Sequence, residues 1–333
     1  MKNKLYSKEQ VIEFIKQGRI MHLCGNENTL KDLPKGNWVA GMSPYFMDDV
    51  GKISDSKIYV DDFSFIAEDC EMATFDEVDI HEIAKRNKYS NGFIFMVLPI
   101  DSQVYYTFAS HSLEYDHIYD NPVVGYVSSV HVEDYGKVQP KVAIGSESVL
   151  HADKAAVLYV KVSDRLRVRT EIMNLDTIDH DSAPVRFPKN SFIQGDCLID
   201  GKPGKIANYL EEQKSRIGHY PQLITSQNGA LVIRDIKSVD LNTGEVIFFS
   251  PAYESDTYYT VKYNNDYFAT FNRRLGRKTD VIACMSCTSY FLQGDFEYRH
   301  IDFNGVYTFG EIAYQLLNKT IVTLEVDLAQ PFK

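Results

Sequence analysis

A chain of 333 residues with 44% hydrophobic and 24% charged side chains has the makeup of a folded globular protein, long enough for two cores. Its formal net charge of −11 argues against a nucleic-acid partner, because phosphate backbones need clustered lysine and arginine. No apolar run approaches the ~20 residues of a membrane span, and the opening MKNKLYSKEQVIEF lacks a signal-peptide pattern, so a soluble cytoplasmic protein is expected.

In chain order, Ser7 and Gln10 form a capping box that opens a helix carrying Val11, Phe14 and Ile15 on one face. Residues 19–24 read as a strand and 25–36 as a polar connector. In WVAGMSPYF, Gly41 stands among apolar residues, where a ligand or another backbone approaches closely or the chain bends. Residues 57–65 alternate as a strand and 77–88 read as a surface helix. The continuously apolar GFIFMVLP, 92–99, is expected to be a central strand, followed by a helix capped by Asp101 or Ser102. Residues 122–127 and 154–162 read as further strands, and the Asp-, Ser- and Pro-rich 176–188 as a linker.

A second unit then begins with a strand, an Asp200-Gly201 turn and a helix to about Lys214. Residues 230–237 and 245–250 read as strands joined by a turn at 242–244. A helix over about 264–275 leads to a strand at the cysteine pair. Thr308 and Glu311 have capping-box spacing ahead of Ile312, Ala313, Leu316 and Leu317, which predicts a helix with Asn318 at its left-handed end. Strands alternating with helices define a layered α/β class, with two mixed-sheet subdomains over 1–185 and 186–333.

Five scattered cysteines suit reduced thiols. Cys284 and Cys287 have CxxC spacing, but a tetrahedral metal site needs a second ligand pair, and strand placement favours inert buried thiols. His111, His117 and His180 lie in loops where an imidazole serves as a surface group, a metal ligand or an axial haem ligand. Covalent haem needs C-x-x-C-H, which is absent, as are GxGxxG, the phosphate-loop spacing and GxSxG.

The second unit resembles the C-terminal half of the FIST family of intracellular sensory domains. CLIDGKPGKIANYL resembles that family's opening strand, turn and helix. LVIRDIKSVDLNTGEVIFF resembles its next strand pair, with Arg234, Asp240 and Gly244 in place, and VIAC its strand ending in a cysteine, Cys284. GVYTFGEI resembles its glycine-Glu-Ile loop, placing Gly305, Gly310 and Glu311, and Asn318 matches a later asparagine. In the first half, WVAGMSPYF resembles a glycine-rich turn through Gly41 and Ser43. Met285 and Ser286, and FFSPAYES at 248–255, depart from the family pattern and bear on ligand identity rather than fold.

The resemblance implies a non-enzymatic protein that binds a small, amino-acid-like molecule and relays occupancy to a signalling partner. The expected ligand site is a cleft between the subdomains, where Gly41, Ser43 and Tyr45 face Gly310 and Glu311, with Cys284 and Asn318 alongside. A helix N-terminus there would attract a carboxylate and Glu311 an amine. No metal or other cofactor is expected. The alternatives are a haem-based gas sensor, an enzyme pairing Cys284 or Cys287 with a histidine, and an interaction scaffold with a filled pocket.

Overall fold

A computed structural model describes residues 4–227, 229–276, 278–300 and 303–329. The chain folds as α/β with several sheets and divides into two compact units. Unit 1 comprises residues 1–172, 267–316 and 321–333; unit 2 comprises 173–266 and 317–320. The first border falls near the expected 185, but the chain returns to unit 1 at Tyr267, so unit 2 is nested within unit 1 rather than following it.

In unit 1 a five-stranded sheet runs in the order Lys4–Tyr6, Ile58–Asp62, Ile20–Gly25, Asn37–Met42, Val142–Ile144. A six-stranded sheet runs Gln315–Leu317, Glu311–Ala313, Val123–Ser128, Gly92–Pro99, Ala155–Val162, Ala67–Phe75. Alternation assigns each residue its layer. In the five-stranded sheet Met21, Leu23 and Val60 meet the Lys8–Lys16 helix through Val11 and Ile15. In the six-stranded sheet Ile94, Met96 and Leu98 meet the Gln103–His111 helix through Val104 and Phe108. The intervening residues face the other sheet: the His22 ring stacks on Phe95 with centroids 4.6 Å apart. The result is a helix–sheet–sheet–helix sandwich, with helices outside.

A third sheet of unit 1 runs Leu166–Met173, Ile321–Leu328, Val281–Cys287, Gly305–Thr308, Tyr45–Met47, Gly51–Ile53. Each of the three sheets contains one parallel pair: Ile20–Gly25 with Asn37–Met42, Gly92–Pro99 with Val123–Ser128, and Val281–Cys287 with Gly305–Thr308. Unit 2 holds a four-stranded and two three-stranded antiparallel sheets around the Ile206–Ile217 helix.

Three expectations are corrected. Residues 308–317 are not a helix but two short strands, Glu311–Ala313 and Gln315–Leu317. Thr308 donates its hydroxyl to the Gly310 carbonyl (3.1 Å) instead of capping, and the left-handed residues are Tyr314 (φ 62°) and Lys319 (φ 51°) rather than Asn318. Of the helix expected over 77–88 only a 3₁₀ turn, Ile80–Glu82, forms, because the Asp76 and Asp79 carboxylates accept the backbone amides of Val78 (2.8 Å) and Asp76 (2.7 Å). The expected linker 176–188 lies inside unit 2 and carries the strands Thr177–Ile178 and Val185–Arg186.

Candidate functional site

Gly41 and Glu311 meet, but around a filled space. Gly41 ends the Asn37–Met42 strand on its inner face, where a Cβ would lie 2.4 Å from Val97 Cγ1 and 2.8 Å from the Tyr126 hydroxyl. Glu311 pairs with Tyr126 in the neighbouring sheet and is wholly buried. Gly310, also buried, accepts the Val127 N–H at 2.8 Å. The cleft expected between these corners is therefore occupied by Tyr126, and both corners belong to unit 1 rather than to different units. The smallness of Gly41 serves side-chain packing, not ligand access.

Around Tyr126 runs a sealed polar string that sequence reading missed. His22 Nδ1 lies 2.8 Å from Asp61 Oδ2 and its Nε2 2.9 Å from the Tyr126 hydroxyl. Burial raises the Asp61 carboxyl, opposed by the His22 hydrogen bond and charge. The Tyr59 hydroxyl is near enough to act on Asp61 but outside hydrogen-bond geometry. Cys24, bonded to Tyr126, is pushed up to about 12 by burial. Cys284 is pushed well above its ordinary value by burial and then by the Asp61 and Glu311 charges. His22 and Asp61 lie 39 residues apart, so the only trace they leave is a polar residue at an inward position of an otherwise apolar strand.

Cys284 and Cys287 lie in the Val281–Cys287 strand, both buried. The Cys284 thiol, held neutral by burial, is a poor nucleophile. Among the described residues no group of three or more His, Cys, Asp or Glu is placed to hold a metal ion. His111 and His117 are exposed beside Glu114 and Asp120, and exposed His180 packs its ring 6.2 Å from Tyr259. Asn318, in unit 2, accepts the Ser250 hydroxyl at 2.5 Å.

The remaining expected residues lead to an open hollow. Immediately beyond Gly41 the chain turns outward, and Met42, Ser43 and Pro44 line a hollow of about 310 Å³ in unit 1 together with Asn26, Glu27, Asp55, Ser129, His131 and Asp134. Local chemistry fixes its wall. Asn26 caps the short Glu27–Leu30 helix through the Thr29 N–H (3.0 Å) and donates its amide to the Asp55 carbonyl (2.6 Å). Gly25 admits this turn because a Cβ would lie 2.5 Å from Thr29 Oγ1. Ser43 donates to the Tyr307 carbonyl at 2.5 Å and accepts the Tyr45 N–H at 3.3 Å, which ties the wall to the third sheet.

Tyr45 lies behind that wall, its hydroxyl accepting the Val132 N–H (3.0 Å) and its ring tilted on His131 at 5.5 Å. Burial raises its phenol, the Val132 bond opposes this, and Glu133, Asp134 and Asp55 add to the rise. The hollow is thus electronegative, offset at its edge by Lys141, which contacts Glu27 at 2.5 Å. Ser129 is wholly buried and lines the hollow, and among the described residues its hydroxyl has no partner. Glu27 opens a four-residue helix, Asp55 lies in a bend and Asp134 in a 3₁₀ turn, far apart in sequence, so no local motif announces them.

Fold and hollow together define a layered α/β protein with a small, acidic, solvent-reached cavity. The chain belongs to a family described as one of unknown function, DUF6976, which matches residues 6–327. No curated protein matches it. Among the described residues no helix is long and apolar enough to cross a membrane.

Proposed function

We propose that this protein binds a small ammonium-bearing metabolite, amino acids included, in the hollow at Ser43, and acts as a FIST-like sensor rather than as an enzyme. One observation carries the reading: a hollow of about 310 Å³, the size of a small-metabolite pocket, whose rim holds Glu27, Asp55 and Asp134 and whose wall includes Ser129, its hydroxyl unpartnered among the described residues. Carboxylates attract an ammonium, and a buried hydroxyl without a partner gains a hydrogen bond when a polar ligand enters. The neutral Cys284 thiol supports binding over Cys/His-dependent catalysis.

The test is a thermal-shift and calorimetric screen of amino acids, amines and their acetylated analogues. Ammonium compounds should stabilise the protein, acetylation of the amine should abolish the effect, and Asp134→Asn should weaken it. Stabilisation by none of them would remove the proposal.

A further inference from the structure

Among the described residues, wholly buried Lys319 and partly buried Lys278 both face carboxylates. Lys319 sits 3.1 Å from Asp176, and Lys278 contacts Glu325 (2.5 Å) and Glu171. Arg234 differs. It ends the Ala230–Arg234 strand of unit 2, is wholly buried, and among the described residues has no carboxylate within ion-pair distance. Its Nη1 donates to the Ser250 hydroxyl at 3.3 Å, and that hydroxyl is fixed by Asn318. The Tyr253 ring lies 5.2 Å from the guanidinium carbon. Among the described residues, Nε and Nη2 have no hydrogen-bond partner. The neighbouring Tyr258 hydroxyl accepts the Tyr253 N–H (2.8 Å) and donates to Asp256 (3.1 Å); the guanidinium is near enough to act on this phenol by charge and as a donor, but outside hydrogen-bond geometry.

Nε and Nη2 share one edge of the guanidinium plane, with parallel N–H bonds spaced to meet the two oxygens of an oxyanion. A guanidinium removed from water without a counter-charge is costly, and the cost falls when an anion meets that edge. We infer that Arg234, held by Ser250 and Asn318, is the anchor of a carboxylate-binding site in unit 2. A carboxylate is favoured over phosphate because one guanidinium neutralises one charge, whereas a phosphate monoester near −2 leaves charge uncompensated in the interior. This site is separate from the hollow at Ser43 and does not depend on it.

The experiment uses the full chain and titrates sodium acetate, propionate and phosphate against sodium chloride at equal ionic strength. It reads the melting temperature and the Nε–Hε resonance of Arg234, identified by its loss in Arg234→Lys. Carboxylates should raise the melting temperature above the chloride control and move the Arg234 resonance with the same midpoint. Arg234→Lys, which keeps the charge but loses the edge, should weaken the response about tenfold or more. Arg234→Met should abolish it, and without anion should be at least as stable as the wild type, because an uncompensated buried charge has been removed.

A wild-type Arg234 resonance that no carboxylate moves would overturn the assignment, and this readout needs only the conservative Arg234→Lys to fold, so it stands even if Arg234→Met does not. An equal thermal response in wild type and Arg234→Met would overturn it too, as would a larger response to phosphate than to acetate.

Discussion

Replacing Lys319 by methionine tests how unit 2 tolerates an unbalanced charge. Both Lys319 and Asp176 have wholly buried side chains. The ammonium lies 3.1 Å from Asp176 Oδ2, 3.1 Å from Gln222 Oε1 and 4.3 Å from the Tyr263 ring centre, while Asp176 Oδ1 accepts the Asn264 N–H at 3.0 Å. Methionine keeps the stem and bears the same backbone cost at φ 51°, so the perturbation is confined to the charge. It strands a buried carboxylate, which costs about 3–5 kcal/mol. The double variant Asp176→Asn/Lys319→Met removes both charges and should recover most of that, ending within about 2 kcal/mol of wild type.

Because the chain has two units, a single unfolding midpoint is not a safe readout. Amide exchange along Leu223–Gln227, the strand that follows Gln222, reports unit 2 directly. Fluorescence of Trp38, the only tryptophan, reports unit 1. Lys319→Met should lower protection in the first and leave the second nearly unchanged. A loss below about 1 kcal/mol, or a double variant as damaged as the single one, would refute the reasoning.

Further outcomes follow from unit 1. Gly41→Ala places a methyl 2.4 Å from Val97 Cγ1, so overpacking should cost about 1–3 kcal/mol in a urea titration followed by Trp38 fluorescence, while ligand response at the hollow survives. An unchanged urea midpoint would show that the layer yields. Asp61 has a folded-state pKa above its ordinary 3.8, so the folded form binds the extra proton and stability falls as pH rises from about 4 through the raised value. Asp61→Asn lacks this dependence, and its stability relative to wild type should therefore improve over that rise; a gap independent of pH would contradict the burial argument. Iodoacetamide should modify native Cys70 slowly, since it is the half-exposed thiol and burial with the Asp69 charge pushes it up to about 11. Mass spectrometry should find Cys24, Cys197, Cys284 and Cys287 alkylated only after unfolding.

What the sequence revealed was local. Ser7 and Gln10 form the reciprocal cap that their spacing announces, Ser102 caps its helix through the Tyr105 N–H (3.2 Å), and Asp200 and Gly201 take the left-handed conformations of a tight turn. The apolar 92–99 run is a central strand for the same reason: burial on both faces leaves no alternation to misread. Thr308 and Glu311 misled because a capping box is defined by spacing, while its formation depends on which amides the surrounding sheet has already taken. Ile312, Leu316 and Leu317 suit a helical stripe, yet the reversal at Tyr314 lets two short strands bury the same residues. The acidic rim was illegible because turns distant in sequence supply it. Ser43 and Gly41 are near neighbours in sequence, yet Ser43 lines the hollow whereas Gly41 packs against Val97 and Tyr126.

The nesting of unit 2 has a bearing on biosynthesis. Residues 317–320 belong to unit 2 and 321–328 add a strand to a unit 1 sheet, so both units gain a needed part only once the chain has been synthesised beyond residue 316. Until then Asp176 waits without its cation and the Val281–Cys287 strand without one neighbour. Premature termination anywhere before Lys319 would leave two incomplete bodies rather than one intact and one missing, an all-or-nothing checkpoint written into chain order.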